Sequence, residues 1–282
     1  MGEPNTVNWK RRVVKPEVVL KRIEPGMNIF IGTGTAEPRT LVKHLMASKA
    51  YNLQDLTLIQ LVSFGDAISL EALQSHKYRL KTFYSGWVAS EAINAGHVDL
   101  IPSRFSTIPQ LIRSGQIPID VAFIQITPPN ESGYCSLGVG LDVARQAMDQ
   151  ASLIVGEINP EVPFTYGDTF VPADQFDLLV ESTEPPIYFD RWPLADVFDK
   201  VASVVASVIE DGSCLAYSIG PLYEALPKYL ARKRDLGIHT PFFTDALMDL
   251  VLSGAVSNRR KNLFHLLPFQ CGYERFAPFP RF

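Results

Sequence analysis

The sequence predicts an alternating α/β protein built on open, mostly parallel sheets flanked by helices. Three observations predict it. Short apolar runs recur along the chain, apolar residues at helical spacing separate several of them, and glycine or proline turns stand at the changeovers. At 282 residues and 46% apolar content, the chain is long enough for one large or two ordinary domains with a proper core.

After a charged start, residues 16–23 carry apolar side chains at helical spacing. Pro25-Gly26 ends that helix before the strand 28–31. The runs 56–62, 80–84, 121–126, 153–155 and 176–180 read as strands. Residues 40–47, 69–73, 90–94, 106–113 and 142–150 read as the helices between them. His97 stands just before the strand-like 98–101 and reads as a turn residue. Residues 181–187 break the alternation with charges and Pro185-Pro186, which marks a linker or domain edge. Beyond it the pattern restarts with a helix over 197–209, the turn Asp211-Gly212, a strand over 213–219, and Gly220-Pro221 opening a helix through Leu230. This order echoes residues 16–34 and suggests two related halves. The expected division is a first domain over 1–190, the start of a second, related domain over 191–262, and a divergent tail over 263–282. That tail holds five phenylalanines, three prolines and one acid without a clear period.

Composition excludes several classes. A net charge of −4, from 26 basic and 30 acidic residues, supplies no general attraction for nucleic acid. The basic clusters Arg232-Lys233-Arg234 and Arg259-Arg260-Lys261 read as solvated surface. Cys135, Cys214 and Cys271 are far apart and lack metal-ligand spacing, so neither a disulfide framework nor a metal site is expected. No segment approaches the roughly 18 uninterrupted apolar residues of a membrane span, and the start has no apolar signal core. A cytoplasmic protein without membrane partners is the expectation.

Two loops stand out as ligand-facing. Residues 127–140, Thr-Pro-Pro-Asn-Glu-Ser-Gly-Tyr-Cys-Ser-Leu-Gly-Val-Gly, follow the apolar strand 121–126. Prolines fix the backbone there, and glycines let main chain approach a bound group. Gly32-Thr33-Gly34-Thr35-Ala36-Glu37-Pro38 likewise follows a strand and precedes a helix, so free amides at the helix start can face an anion. It is no dinucleotide fingerprint, because Glu37 stands where the third glycine belongs, and no Lys-Ser/Thr completes a P-loop. No Ser-His-Asp or Cys-His arrangement can be assembled, and Cys135 has no activating base nearby in sequence.

Residues 120–168, from Asp-Val-Ala-Phe-Ile-Gln-Ile-Thr-Pro-Pro-Asn through Val-Pro-Phe-Thr-Tyr-Gly-Asp, resemble the acetyl-CoA hydrolase/transferase family, whose members move coenzyme A between carboxylic acids. Residues 83–102, 106–110 and the Gly-Thr-Gly-Thr-Ala-Glu-Pro turn match as well, and the resemblance extends over about 8–262. It implies two CoA-transferase-type domains (NagB/RpiA/CoA-transferase-like), the second shortened at its C-terminal end, with the active site between them. It also implies coenzyme A or acyl-CoA as substrate with no metal, and a small-molecule acyl-CoA and a carboxylate as partners; homo-oligomer formation is left open. Gly32, Gly34, Glu37, Ser136, Gly138 and Gly220 are the implied substrate-binding residues. His239 and Thr240 line the same cleft, and the two basic clusters become candidates for the coenzyme phosphates.

The segment from His239 to Asp245, His-Thr-Pro-Phe-Phe-Thr-Asp, is similar to the family stretch that carries the nucleophilic glutamate. There Pro241 stands at the glutamate position, with neither an oxygen nucleophile nor a titratable group. Three readings remain open: a nearby carboxylate, Glu224 or Asp245, serves instead; water attacks directly, giving a hydrolase; or the chain binds acyl-CoA or a partner without turnover, as an inactive paralogue or fragment. The glycine turn at Tyr217-Ser218-Ile219-Gly220 lacks one family glycine, which weakens its claim to supply amides to a thioester oxygen.

Overall fold

A computed structural model describes residues 9–63, 65, 67 and 77–261. The helix expected over 69–73 lies outside the described residues. The chain forms two compact units, Met1–Ile187 and Tyr188–Phe282.

In the first unit, strands β1 (Asn28–Ile31), β2 (Leu56–Gln60), β3 (Tyr78–Thr82), β4 (Val98–Leu100), β5 (Val121–Ile126), β7 (Leu153–Ile158) and β9 (Leu178–Glu181) build one seven-stranded sheet in the order β4-β3-β2-β1-β5-β7-β9. Every neighbouring pair is parallel. The apolar runs are continuous because both faces are covered. Ile29, Ile31, Val121 and Phe123 point into one core, and Phe30, Ala122 and Ile124 into the other. Helix α1 (Pro16–Leu20) leads into β1, and α2 (Arg39–Ala47), α3 (Gly86–Asn94), α4 (Ile108–Arg113) and α5 (Ala144–Gln150) lie between strands. One feature was hidden within the ligand-facing loop: β6 (Tyr134–Ser136) pairs antiparallel with β8 (Phe170–Pro172).

The order places a switch point at the centre of the sheet. The chain walks outward from β1 to β4, then returns to the other side of β1 and walks outward again through β5, β7 and β9. In open parallel sheets the crevice at such a point, outside the carboxyl ends of the strands, is where ligands bind.

The second unit contains α6 (Asp196–Ser207), β10 (Cys214–Ala216), α7 (Pro221–Leu230), β11 (Gly237–His239) and α8 (Asp245–Leu252), with β10 and β11 paired in parallel. Its core joins Ala202 and Ala206 of α6 with Leu226, Leu230, Ile238, Leu247 and Leu250. Thr244 caps α8, its side chain accepting the Leu247 N–H. Neither β11 nor α8 was expected from sequence. Three residues with one side chain inside a two-stranded pair carry too short a pattern to recognise.

Candidate functional site

The two loops singled out in sequence leave the carboxyl ends of β1 and β5, the strands that flank the switch point. They touch: a Cβ on Gly140 would collide with the Ala36 side chain, so only glycine lets the 127–140 loop close on the 34–36 turn. That turn, Gly34–Ala36, is a 3-10 helix with Gly34 at φ +57. Gly32 is equally tight, its missing Cβ leaving room for the Ala36 carbonyl oxygen.

A buried polar layer runs beneath the turn, supplied by the last residues of successive strands. Gln60 at the end of β2 donates from Nε2 to Gly32 O at 2.9 Å and to Glu37 Oε2 at 3.0 Å. The Ala67 N–H reaches Glu37 Oε1 at 3.3 Å. Gln125 of β5 donates to Thr35 O at 3.2 Å, and Asn159, just past β7, donates to Gln125 Oε1 at 3.4 Å. Glu37 itself is completely buried. In addition, Thr35 Oγ1, Gln60 Oε1 and Ser63 Oγ are buried without a hydrogen-bond partner among the described residues. Buried polar atoms normally find partners, so these three, close to one turn, are candidates to meet a bound polar group or an ordered water.

One expectation is corrected here. The amides at the start of α2 are not free for an anion: Thr40 N–H donates to Glu157 Oε1 at 3.2 Å and Leu41 N–H to Oε2 at 2.9 Å. Glu157, buried at the end of β7, also accepts from Ser182 Oγ at 2.7 Å. A protein carboxylate therefore takes the place at the helix start that an anionic ligand takes in a phosphate loop. Burial pushes its carboxyl up, against the pull of these hydrogen bonds. Glu37 and Pro38 lie just before α2, which begins at Arg39.

Ser136 and Gly138 shape the neighbouring loop. Ser136 is buried; its Oγ accepts the Gly138 and Thr165 N–H groups, both at 3.1 Å. Thr165 Oγ1 donates to Gly138 O at 2.7 Å. Gly138 has φ +61, and a Cβ there would collide with Val162, so the position is closed to other residues. Cys135 is fully buried, and burial pushes its thiol up to about 12, which leaves it inert as a nucleophile.

Asp142 ends this loop. Its Oδ1 accepts the Val143 and Ala144 N–H groups at 2.5 and 3.2 Å, while Oδ2 is shut away from solvent although the residue as a whole is only partly buried. Burial pushes the carboxyl up; the Thr33 hydroxyl and the main-chain donors oppose it and lose. Because the folded-state value lies above the unfolded one, the carboxylate costs stability above the folded value, and that cost vanishes as the pH falls below the unfolded value, about 3.9. Asp142→Asn, which keeps the accepting oxygen, is therefore expected to raise the urea midpoint at pH 7 and to match the parent near pH 3. An unchanged midpoint at pH 7 would show that the buried charge is compensated.

In the second unit the residues expected at the cleft gather at the carboxyl ends of β10 and β11. The Thr240 hydroxyl lies 2.8 Å from Tyr217 O and 2.7 Å from Phe242 O, which ties the two strand ends together. His239 and Pro241 are exposed. Gly220 has φ +123 and opens α7. The alternative carboxylate Glu224 has a side chain only 7% exposed and faces Arg191 at 3.4 Å, and Arg191 also pairs with Asp249 at 2.6 Å. Burial, with Asp245 and Asp249 nearby, pushes the Glu224 carboxyl up despite Arg191. Glu224 is thus engaged within its own unit. Among the described residues, no three His, Cys, Asp or Glu side chains are grouped to hold a metal, and no helix is long and apolar enough to cross a membrane.

The model of the acetyl-CoA hydrolase/transferase N-terminal domain matches residues 3–189. The chain belongs to this family. Among curated relatives, it is 32% identical over 256 residues to the 4-hydroxybutyrate coenzyme A transferase of Clostridium kluyveri, covering 90% of this chain and 59% of that protein. It is 33% identical over 245 residues to the succinyl-CoA:acetate/propanoyl-CoA:succinate CoA transferase of Fasciola hepatica, covering 86% and 50%. Among solved structures, RipA from Yersinia pestis superimposes with a TM-score of 0.83 at 26% identity, covering 90% of this chain and 61% of that one. The 4-hydroxybutyrate CoA-transferase of Porphyromonas gingivalis gives 0.73 at 30% identity, covering 90% and 60%. The chain therefore spans half to three-fifths of the length of these relatives, and both the family and the fold expected from its motifs are correct.

Gln60, Gln125, Glu157 and Asn159 were missed from sequence. A signal was present: each of the three strands ends, or nearly ends, its apolar run on a Gln or Glu, as in Leu-Thr-Leu-Ile-Gln, Val-Ala-Phe-Ile-Gln-Ile and Leu-Ile-Val-Gly-Glu-Ile. A charged or amide side chain buried at a strand end needs a partner, and at a switch point the partners are one another.

Proposed function

We propose that the chain binds short-chain acyl-CoA thioesters and their carboxylates and serves acyl-CoA:carboxylate CoA transfer or acyl-CoA hydrolysis, with Gly32, Gly34 and Glu37 and the 127–140 loop at the acyl end. The observation that carries this reading is the pair of buried hydroxyls without a partner among the described residues, Thr35 Oγ1 and Ser63 Oγ, in the segments that follow β1 and β2 at the carboxyl end of the sheet. Hydroxyl donors held in a low-dielectric setting suit a carboxylate or a thioester carbonyl oxygen. The relatives' names, all CoA transferases, support the same substrate class. His239, Thr240 and Gly220 are assigned to the same function from the second unit, and a cytoplasmic setting fits the substrates.

Pro241 favours a second form of this function. With no carboxylate at that position, covalent transfer lacks its nucleophile, and what remains is binding or attack by water. Titration calorimetry with acetyl-CoA and with butyrate tests the shared part. Thr35→Val is expected to weaken binding about tenfold, the scale of one lost hydrogen bond to a charged or polarised group. Equal affinity in a folded Thr35→Val protein would remove the switch point from the ligand's path.

A further inference from the structure

Residues 182–187, which follow β9 at the edge of the sheet, are fastened at nearly every step to the carboxyl end of that sheet. Ser182 Oγ donates to Glu157 Oε1 at 2.7 Å, and the Thr183 N–H donates to Thr40 Oγ1 at 2.9 Å. Glu184 O accepts from Asn159 Nδ2 at 3.1 Å, while the Glu184 carboxylate meets Lys43 Nζ at 2.6 Å. Pro185 O accepts from Arg39 Nη1 at 3.0 Å, and Pro186 is buried. The two prolines fix φ and keep the residues before them extended.

The segment ends far from where it starts. A Cβ on Gly65, in the segment after β2, would fall 2.5 Å from Ile187 Cδ1 and 2.5 Å from Glu37 Oε1. Ile187 therefore reaches the residues that follow β1 and β2, although β7, β5 and β1 stand between β9 and β2 in the sheet. Crossing from β9 to β2 takes about 19 Å at about 4.8 Å per strand spacing. Extended chain from Ser182 to Ile187 covers about 17 Å, and the isoleucine side chain makes up the rest.

We infer that residues 182–187 are a strap across the carboxyl end of the sheet, and that Ile187, at its tip, is a specificity-determining residue that sets the length of the acyl group admitted beside Glu37. The inference rests on the acyl-CoA reading above, which puts Glu37 at the acyl end. Two observations carry it. Glu37 is completely buried, and the space beside its Oε1 is so small that Gly65 cannot carry a methyl group. Ile187, by contrast, belongs to neither core of its unit and is only partly buried. The strap, and not core packing, holds its apolar side chain in place, as befits the wall of a site. Carbons removed from that wall leave room for a longer acyl chain, and each buried methylene is worth about fourfold in affinity.

Titration calorimetry of the full chain with acetyl-CoA, butyryl-CoA and hexanoyl-CoA compares the parent with Ile187→Ala. The alanine protein is expected to raise the affinity ratio of hexanoyl-CoA to acetyl-CoA at least about tenfold over the parent's. Ile187→Val should move the same ratio about fourfold, and it decides the matter should alanine disturb the fold. A ratio that stays the same or falls, in proteins that bind all three thioesters, overturns the role of Ile187 and leaves the acyl-CoA reading standing. An equal gain or loss for all three does the same, because it is an effect on binding in general and not on chain length. A parent that binds none of the three overturns the acyl-CoA reading, and the specificity role with it.

Discussion

Pro241→Glu is expected to raise acetyl-CoA:butyrate exchange about a hundredfold or more over the parent chain, equivalent to at least about 2.7 kcal/mol of barrier. Position 241 is exposed, between the pinned Thr240 hydroxyl and the Thr244 cap of α8, so a glutamate fits without disturbing the core of its unit. The gain has a chemical cause. The new carboxylate oxygen attacks the thioester carbonyl carbon, the C–S bond breaks, and CoA leaves as the thiolate. That thiolate attacks the glutamyl carbonyl of the mixed anhydride, releasing acetate and leaving a glutamyl-CoA thioester. Butyrate then runs the sequence in reverse and carries CoA away. Chromatography of the acyl-CoA products measures the exchange, and hydroxylamine trapping of the glutamyl thioester identifies the route. A folded Pro241→Glu protein that binds acetyl-CoA but never transfers CoA would take the β11–α8 connection out of the chemistry. Rapid exchange by the parent would place the nucleophile elsewhere in the chain.

Glu157→Ala is expected to cost about 3 kcal/mol of stability, on the scale of removing one partner from a buried, charge-assisted set. The substitution leaves the Thr40 and Leu41 N–H groups and the Ser182 hydroxyl without their acceptor, at the buried start of α2. Glu157→Gln should lose roughly half as much, because one carboxamide oxygen still serves one N–H while its NH2 confronts the other. Urea unfolding measures both, with an unchanged denaturant slope showing that stability and not compactness has changed. A loss below about 1 kcal/mol for alanine would mean that water replaces the carboxylate, and that α2 needs no protein cap. The same result would reopen the helix start to an anionic ligand.

Much of this was legible in the sequence, for identifiable reasons. Strands β1 and β5 are covered on both faces, so they appear as unbroken apolar runs, and their loops announce themselves by glycines and prolines that no regular element tolerates. The family emerged from long motifs around those same loops. Strands β6 and β8, three residues each inside loops, left no periodic trace.

What the sequence determined by itself was the alternating α/β class, the family and the two glycine-rich loops that follow strands, because these depend on residues close together in the chain. Only the tertiary structure decided that the two loops meet across one switch point, that Glu157 fills the helix start that had been left for an anion, and that Ile187 reaches Gly65 beside Glu37. Each depends on contacts between residues far apart in sequence, Thr40 with Glu157 or Gly140 with Ala36. The order in which parallel strands assemble creates such contacts, and a local pattern of side chains does not encode that order.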